Sequence, residues 1–259
     1  MQNLNRYIHE NTHINEKLVI THYKSYSYVP QTRKELRNII EDRLKDDPDA
    51  DLNDIDVSNI TDMSSLFSGL YPHNIDISEW DVSNVTIMNY MFAYCENFNS
   101  DLSNWDVSKV KYMVDTFYDC MNFNSDISRW DVSNVIDMRS MFAYCKKFNS
   151  DLNSWNVSKV ENMNCMFLEC EKFNSDLSNW NVSNVKSMTS MFKECTKFNS
   201  DISGWNVSNV KYMIKMFCNC ENFNSDLSGW NVSKSTSIMN MFDGCDSMKE
   251  LPKWSKNNI

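Results

Sequence analysis

The chain has 259 residues, 42% of them hydrophobic and 13% aromatic, and a formal net charge of −10. That apolar content suffices for a core and is unlike a disordered chain, while the acidic excess argues against a phosphate-backbone partner, which needs clustered Lys and Arg. With only 4 Gly and 4 Pro, something other than the usual loop residues must organise the turns.

Residues 1–50 read as an N-terminal segment whose eight basic and eight acidic side chains cancel. Met1 to Tyr28 lacks the basic start and the apolar run of roughly 7–15 residues that mark a signal peptide, and no membrane span is expected. His9-Glu10-Asn11-Thr12-His13 spells HExxH. In zinc proteases two His one helical turn apart bind the metal and the Glu is the general base. Here the context is poor: Asn11 and Thr12 are weak helix formers, Glu16 and His22 are ill-spaced as third ligands, and position 19, where the elongated motif needs His, is Val19. A zinc metalloprotease is therefore the alternative reading, and no metal or cofactor is assigned. Further on, Thr32 and Glu35 form a capping box behind Pro30, and Leu36, Ile39, Ile40 and Leu44 share one side of a helix expected at about 32–45.

From 51 to 245 a 25-residue period runs without insertion. Trp80, Trp105, Trp130, Trp155, Trp180, Trp205 and Trp230 keep it, as do eight Phe from Phe67 to Phe242. Such regularity means stacked coils, because only neighbouring copies can bury each copy's apolar face. Within a unit, Leu102, Trp105, Val107 and Val110 alternate as a strand would, whereas Met138, Met141, Phe142 and Cys145 have the i, i+3, i+4, i+7 spacing of a helix face. Phe148 and Asn149-Ser150-Asp151 make the return turn, with Ser and Asp replacing Gly through local hydrogen bonds. The reading is an α/β solenoid of about eight strand-plus-helical-turn coils. Strands stack about 4.8 Å apart and helices about 8–10 Å, so the stack should curve, with the strands on the concave side of an open arc. Residues 246–259 form a C-terminal cap in which Trp254, one residue ahead of the period, acts as a lid.

The unit FNSDLSNWDVSNV…MxxMFxxC, as at Phe98 to Cys120 and Phe173 to Cys195, resembles the BspA-like leucine-rich-repeat family of bacterial and protist surface proteins, and Pro30 to Phe67 resembles the segment that precedes those repeats. The resemblance covers about residues 30–245 and implies a curved leucine-rich-repeat-like stack. It also implies protein–protein interaction or adhesion without catalysis, with a protein partner such as a host or cell-surface protein. Leu102, Trp105 and Val107 match the core strand positions of leucine-rich repeats, but Val110 stands where an Asn or Cys usually bonds the turn. The hydrogen-bonding ladder is therefore expected elsewhere, at Asn99 or Ser108 and their equivalents.

Seven cysteines, Cys95 to Cys245, recur on the helical face and are expected to be reduced core thiols, since helices about 8–10 Å apart would hold neighbouring Cα atoms beyond disulfide reach. The Asp column at 76, 101, 126, 151, 176, 201 and 226 is read as turn bonding rather than a calcium site. For binding, residues 51–100 carry eight acids and no Lys or Arg, and no basic residue lies between Lys45 and Lys109. Asp54, Asp56, Asp62 and Glu79 in this stretch are candidates to steer a basic partner. Tyr94, Tyr118 and Tyr144 occupy two variable helix-side columns and are candidate interface anchors. The other candidate surface is the concave strand face, with Ser83, Asn104, Ser108, Arg129, Ser133 and Lys159. A structural spacer without a ligand is the blander reading. Unpaired thiols favour a reducing compartment, whereas the resemblance favours a surface.

Overall fold

The computed structural model describes residues 25–257; the HExxH at 9–13, with Glu16 and His22, lies outside the described residues. The apolar repeat positions do stack into one continuous core. Twelve Phe between Phe67 and Phe217 are fully buried, and the Trp column from Trp80 to Trp230 is 3–4% exposed. Neighbouring coils place equivalent rings nearly parallel, with Trp105 and Trp130 tilted by only 2°. The molecule is thus a repeat solenoid in which each coil is completed by the next.

The backbone of a coil differs from the expected strand and helical turn. Among the described residues there is one α-helix, α1 (Arg33–Asp46), one short 3-10 helix (Lys253–Asn257) and no extended strand. In the stretch expected to be a helix face, the N–H groups of Met138, Ser140, Phe142 and Tyr144 donate to the carbonyls of Asn162, Asn164, Met166 and Leu168 in the following coil. The intervening N–H groups of Met141, Ala143 and Cys145 close turns three residues back. No bond runs to the fourth residue back, and Ser140 and Tyr144 stand at φ 51 and 65, in the left-handed region. The periodicity correctly set which side chains face inward; it could not set the bonding partner, which an adjacent coil supplies. The expected strand is likewise folded into turns, with Trp105 N–H bonding Leu102 and Val110 N–H bonding Val107. Coil-to-coil pairing instead shows as single parallel bridges along the Met-Phe side, from Asp62 with Ile87 through Ile87 with Tyr112 to Tyr212 with Ser237.

Side chains do much of the remaining stacking. Each indole N–H of the Trp80 to Trp230 column donates to the carbonyl 28 residues earlier, as Trp130 does to Leu102 at 3.0 Å and Trp155 to Ile127 at 3.0 Å. Asn99, Asn124, Asn149, Asn174 and Asn199 each accept, through Oδ1, the backbone N–H of the Asn one coil on, at 2.7–2.8 Å. This is the side-chain ladder that the sequence located at Asn99 or Ser108. Ser108 has another part: its N–H bonds Asp106, and its carbonyl accepts from Asn134. The Asp column forms turns, each Oδ1 accepting the N–H two residues on, from Ser78 to Ser228.

Equivalent rings in copies of one coil are displaced by whatever operation relates the coils. That displacement is 5.1–5.9 Å in the Phe67 to Phe242 column, 5.8–6.0 Å in the Phe98 to Phe223 column and 6.3–6.5 Å for Trp. Successive coils are therefore rotated about an axis lying nearer the Met-Phe ladder than the Trp column. The Trp-Val segment lies farther from that axis and forms the outer side of each coil, and the helices on which the expected curvature rested are absent from the described coils.

Both ends are closed by specific bonds. The carbonyls equivalent to Asn162, Asn164, Met166 and Leu168 accept from the preceding coil, so those of the first coil would lack donors. Arg33 Nη1 donates to Ser64 O at 3.1 Å, and Arg37 Nη1 to Leu66 O at 3.1 Å and Ser68 O at 3.0 Å, occupying places that a preceding coil's N–H groups would take. Thr32 caps α1, accepting from Glu35 N, while Leu36 and Ile40 bury against the core. At the other end Trp254 continues the Trp column, 6.2 Å from Trp230, and its indole donates to Leu227 O at 2.8 Å.

Candidate functional site

Copy-to-copy variation is confined mainly to the ladder side. The Phe98, Asn99, Leu102, Trp105 and Val107 columns hardly change, while the column through residue 94 reads Tyr94, Asp119, Tyr144, Glu169, Glu194 and Asn219, and the one before it Ala93, Tyr118, Ala143, Leu168, Lys193 and Cys218. The column through 94 is exposed or half-buried, whereas in the one before it Ala93 and Ala143 are buried and Tyr118, Leu168 and Lys193 half-buried. The structure brings the three candidate tyrosines together. Tyr118 meets Tyr94 with centroids 5.3 Å apart at 65° and Tyr144 at 5.2 Å and 66°, an edge-to-face chain across three coils. Burial and the neighbouring Tyr144 and Tyr94 push the Tyr118 phenol up to about 12.

Two tyrosines not singled out from the sequence belong to the same face. Tyr90 and Tyr112 are 45% and 39% exposed, and Tyr94 is 49% exposed. The Asp115 carboxylate, foremost, raises the Tyr90 phenol, and burial holds Asp115 itself above the ordinary carboxylate range. Beside them Arg139 clasps Asp137 at 2.9–3.0 Å. The signal that could have found Tyr90 is the left-handed backbone shared by the columns through 90 and 94, which the end coils betray by using Gly69 and Gly244 in the latter.

Of the acidic candidates only Asp62 stands on this face, as the first-coil equivalent of Tyr112. Asp54 pairs with Arg43 at 2.9 Å and Asp62 with Arg33 at 3.4 Å, binding α1 to the first coil. Asp56 is 5% exposed and accepts Ser58 N–H. Glu79 is exposed on the turn before Trp80, its N–H bonded to Asn53. The run of acids is consumed by cap pairing and turn bonding rather than gathered into a patch. The other candidate surface also changes meaning: Ser83, Ser108 and Ser133 donate to Asp81, Asp106 and Asp131 in turns of the outer side, and Lys159 bonds Asn134.

All nine cysteines are free thiols. The spacing argument for this does not hold, because no helices separate the coils. The rings of the neighbouring Phe column are displaced by only 5.1–5.9 Å, within the range of about 4.4–6.8 Å that disulfide Cα atoms span. Each column thiol instead donates to the carbonyl of the Phe 28 residues earlier, as Cys145 does to Phe117 at 3.0 Å. Burial pushes these thiols far up, Cys95 to about 12. Among the described residues no group of three or more His, Cys, Asp or Glu is placed to hold a metal ion, and no helix is long and apolar enough to cross a membrane.

Among solved structures, a leucine-rich repeat protein from Bacteroides ovatus is similar over 76% of this chain, at 15% identity and a TM-score of 0.36. The chain spans 60% of that protein's length. No curated protein matches it. A family described as Mycoplasma protein of unknown function, DUF285, matches residues 34–155 and 140–254. These two spans run from α1 through every coil to Trp254, and the chain belongs to the DUF285 family.

Proposed function

We propose that the protein is a non-enzymatic interaction or adhesion module of the BspA-like type, whose ladder face binds a protein partner. The observation that carries this reading is the contrast between faces. The invariant side chains of each coil are spent on stacking, and the ladder face carries most of the variation between coils and a cluster of exposed tyrosines. Interfaces draw on Tyr because it buries a large rigid surface and keeps a polar end. A spacer would have no use for one face that differs from coil to coil. The N-terminal HExxH plays no part in this reading, and the purified chain is expected to carry no stoichiometric zinc.

The test is site-specific photo-crosslinking. A benzophenone residue at Tyr112, on the ladder face, should give a discrete adduct with a partner in an extract of the producing or contacted cells. The same residue at Asn104, on the outer turn, should give none. Equal adducts from both positions, or adducts from neither, would overturn the assignment of the ladder face.

A further inference from the structure

One column of the ladder face mixes aromatic and acidic side chains, Tyr94, Asp119, Tyr144, Glu169 and Glu194, before ending in Asn219. All five stand at φ between 58 and 66, and their equivalents in the end coils are Gly69 at φ 75 and Gly244 at φ 73. Left-handed backbone disfavours any residue with a Cβ. The end coils follow that preference in this column, and the interior coils carry larger side chains there. Tyr118 lies edge to face between the first and third members.

Of the three acids on this column, Glu194 is matched by Lys193, and the other two are not. Asp119 and Glu169 form no ion pair among the described residues, and the nearest cations are already engaged: Lys146 with Glu171 at 3.0 Å, Lys193 with Glu194 at 2.7 Å and Arg139 with Asp137 at 2.9 Å. Burial, then the like charges of Glu96 and Glu194 respectively, hold the Asp119 and Glu169 carboxyls above the usual range. An acidic partner would be repelled here, and an apolar one would desolvate both carboxylates without compensation. A cation satisfies both halves of the column, since an ammonium or guanidinium group is attracted to a tyrosine face and to a carboxylate alike.

We propose that this column, with Tyr118, recognises Lys and Arg side chains of a basic segment in the partner protein. The proposal rests on the ladder face being the binding face and specifies the chemistry it reads. Fluorescence anisotropy on the full chain tests it, using a short labelled peptide of alternating Lys and Ala and a counterpart of alternating Glu and Ala. The Lys peptide should bind, with an affinity that falls as salt rises, and the Glu peptide should not. The near-isosteric pair Asp119→Asn and Glu169→Gln should weaken binding by about tenfold or more. Glu221→Gln with Glu250→Gln removes the same charge from exposed positions elsewhere, and should change binding by less than about twofold.

Equal binding of the two peptides, or an equal loss in both charge variants, would overturn the proposal. If the Lys peptide fails while the Tyr112 adduct still forms, only the basic chemistry falls. If both fail, the ladder-face reading falls with it. Circular dichroism of each variant separates lost binding from lost fold.

Discussion

Glu169 holds a left-handed backbone that Gly holds in the end coils, at φ 58. A residue with a Cβ gives up roughly 1–2 kcal/mol in that conformation, and Gly recovers it minus its own greater loss of freedom, roughly 0.5–1 kcal/mol. Glu169→Gly should therefore raise stability by up to about 1 kcal/mol in urea unfolding while weakening the Lys-peptide affinity. A stability loss above about 1 kcal/mol would mean the side chain packs structurally. Trp155 presents the opposite case, being buried, stacked on Trp130 and bonded through its indole to Ile127 O. Trp155→Phe keeps most of the apolar surface but leaves that carbonyl without its donor, and should cost about 2–3 kcal/mol, read from the urea midpoint. The thiols sort by burial: in the native protein an alkylating reagent at mildly alkaline pH should modify Cys165, the half-buried one, before Cys145 or Cys170. Peptide mass spectrometry would show the column cysteines reacting only once denaturant is added.

At the scale of elements, the single helix serves the ladder's open end. Arg37 supplies hydrogen bonds to Ser65, Leu66 and Ser68 carbonyls and pairs with Glu41. Arg37→Ala leaves a coil edge without donors, and should cost about 2 kcal/mol. In a stack where each coil contacts only its neighbours, the effect should stay local. Hydrogen exchange should accelerate at the amides of Met63, Ser65 and Phe67 and remain unchanged at Met188. α1 was legible because its information is local: Thr32, Glu35 and the spacing of Leu36 and Ile40 specify cap, start and buried side within fourteen residues. The second half of each coil was misread for the converse reason. Met138, Met141, Phe142 and Cys145 satisfy a helical spacing, yet the N–H groups of Met138 and Phe142 bond 24 residues away in the next coil while those of Met141 and Cys145 bond three residues back, and no local pattern records that.

For the whole molecule, acid reveals two classes of carboxylate. Asp115, Asp119 and Glu169 on the ladder face have raised pKa values, from burial first. A raised folded-state pKa favours the native state below the unfolded pKa, near 4, and that advantage is lost as pH rises through the folded value. Asp106, Asp126, Asp201 and Asp226 are lowered by their Ser hydrogen bonds. Their contribution is present above about pH 4 and is lost as pH falls through their folded values. The Asp119→Asn, Glu169→Gln double variant should accordingly melt higher than the parent at pH 7, with the gap closing toward pH 4. A gap that is constant with pH would assign its stability change to something other than these two titrations.

The sequence by itself determined the period of the coils, which side chains fill the core and the Asp turns, and it narrowed the side-chain ladder to Asn99 or Ser108, because each depends on a residue type recurring every 25 positions. It also put Tyr94, Tyr118 and Tyr144 in adjacent columns, and the structure brings those rings together. Only the tertiary structure decided that the Met-Phe stretch bonds outward to its neighbour, that the Trp-Val stretch is folded into turns, and that Asp54 and Asp62 pair with the cap. Those outcomes depend on which backbone and which charge arrive beside a residue after the coils stack, and a period in sequence specifies what repeats without specifying what it meets.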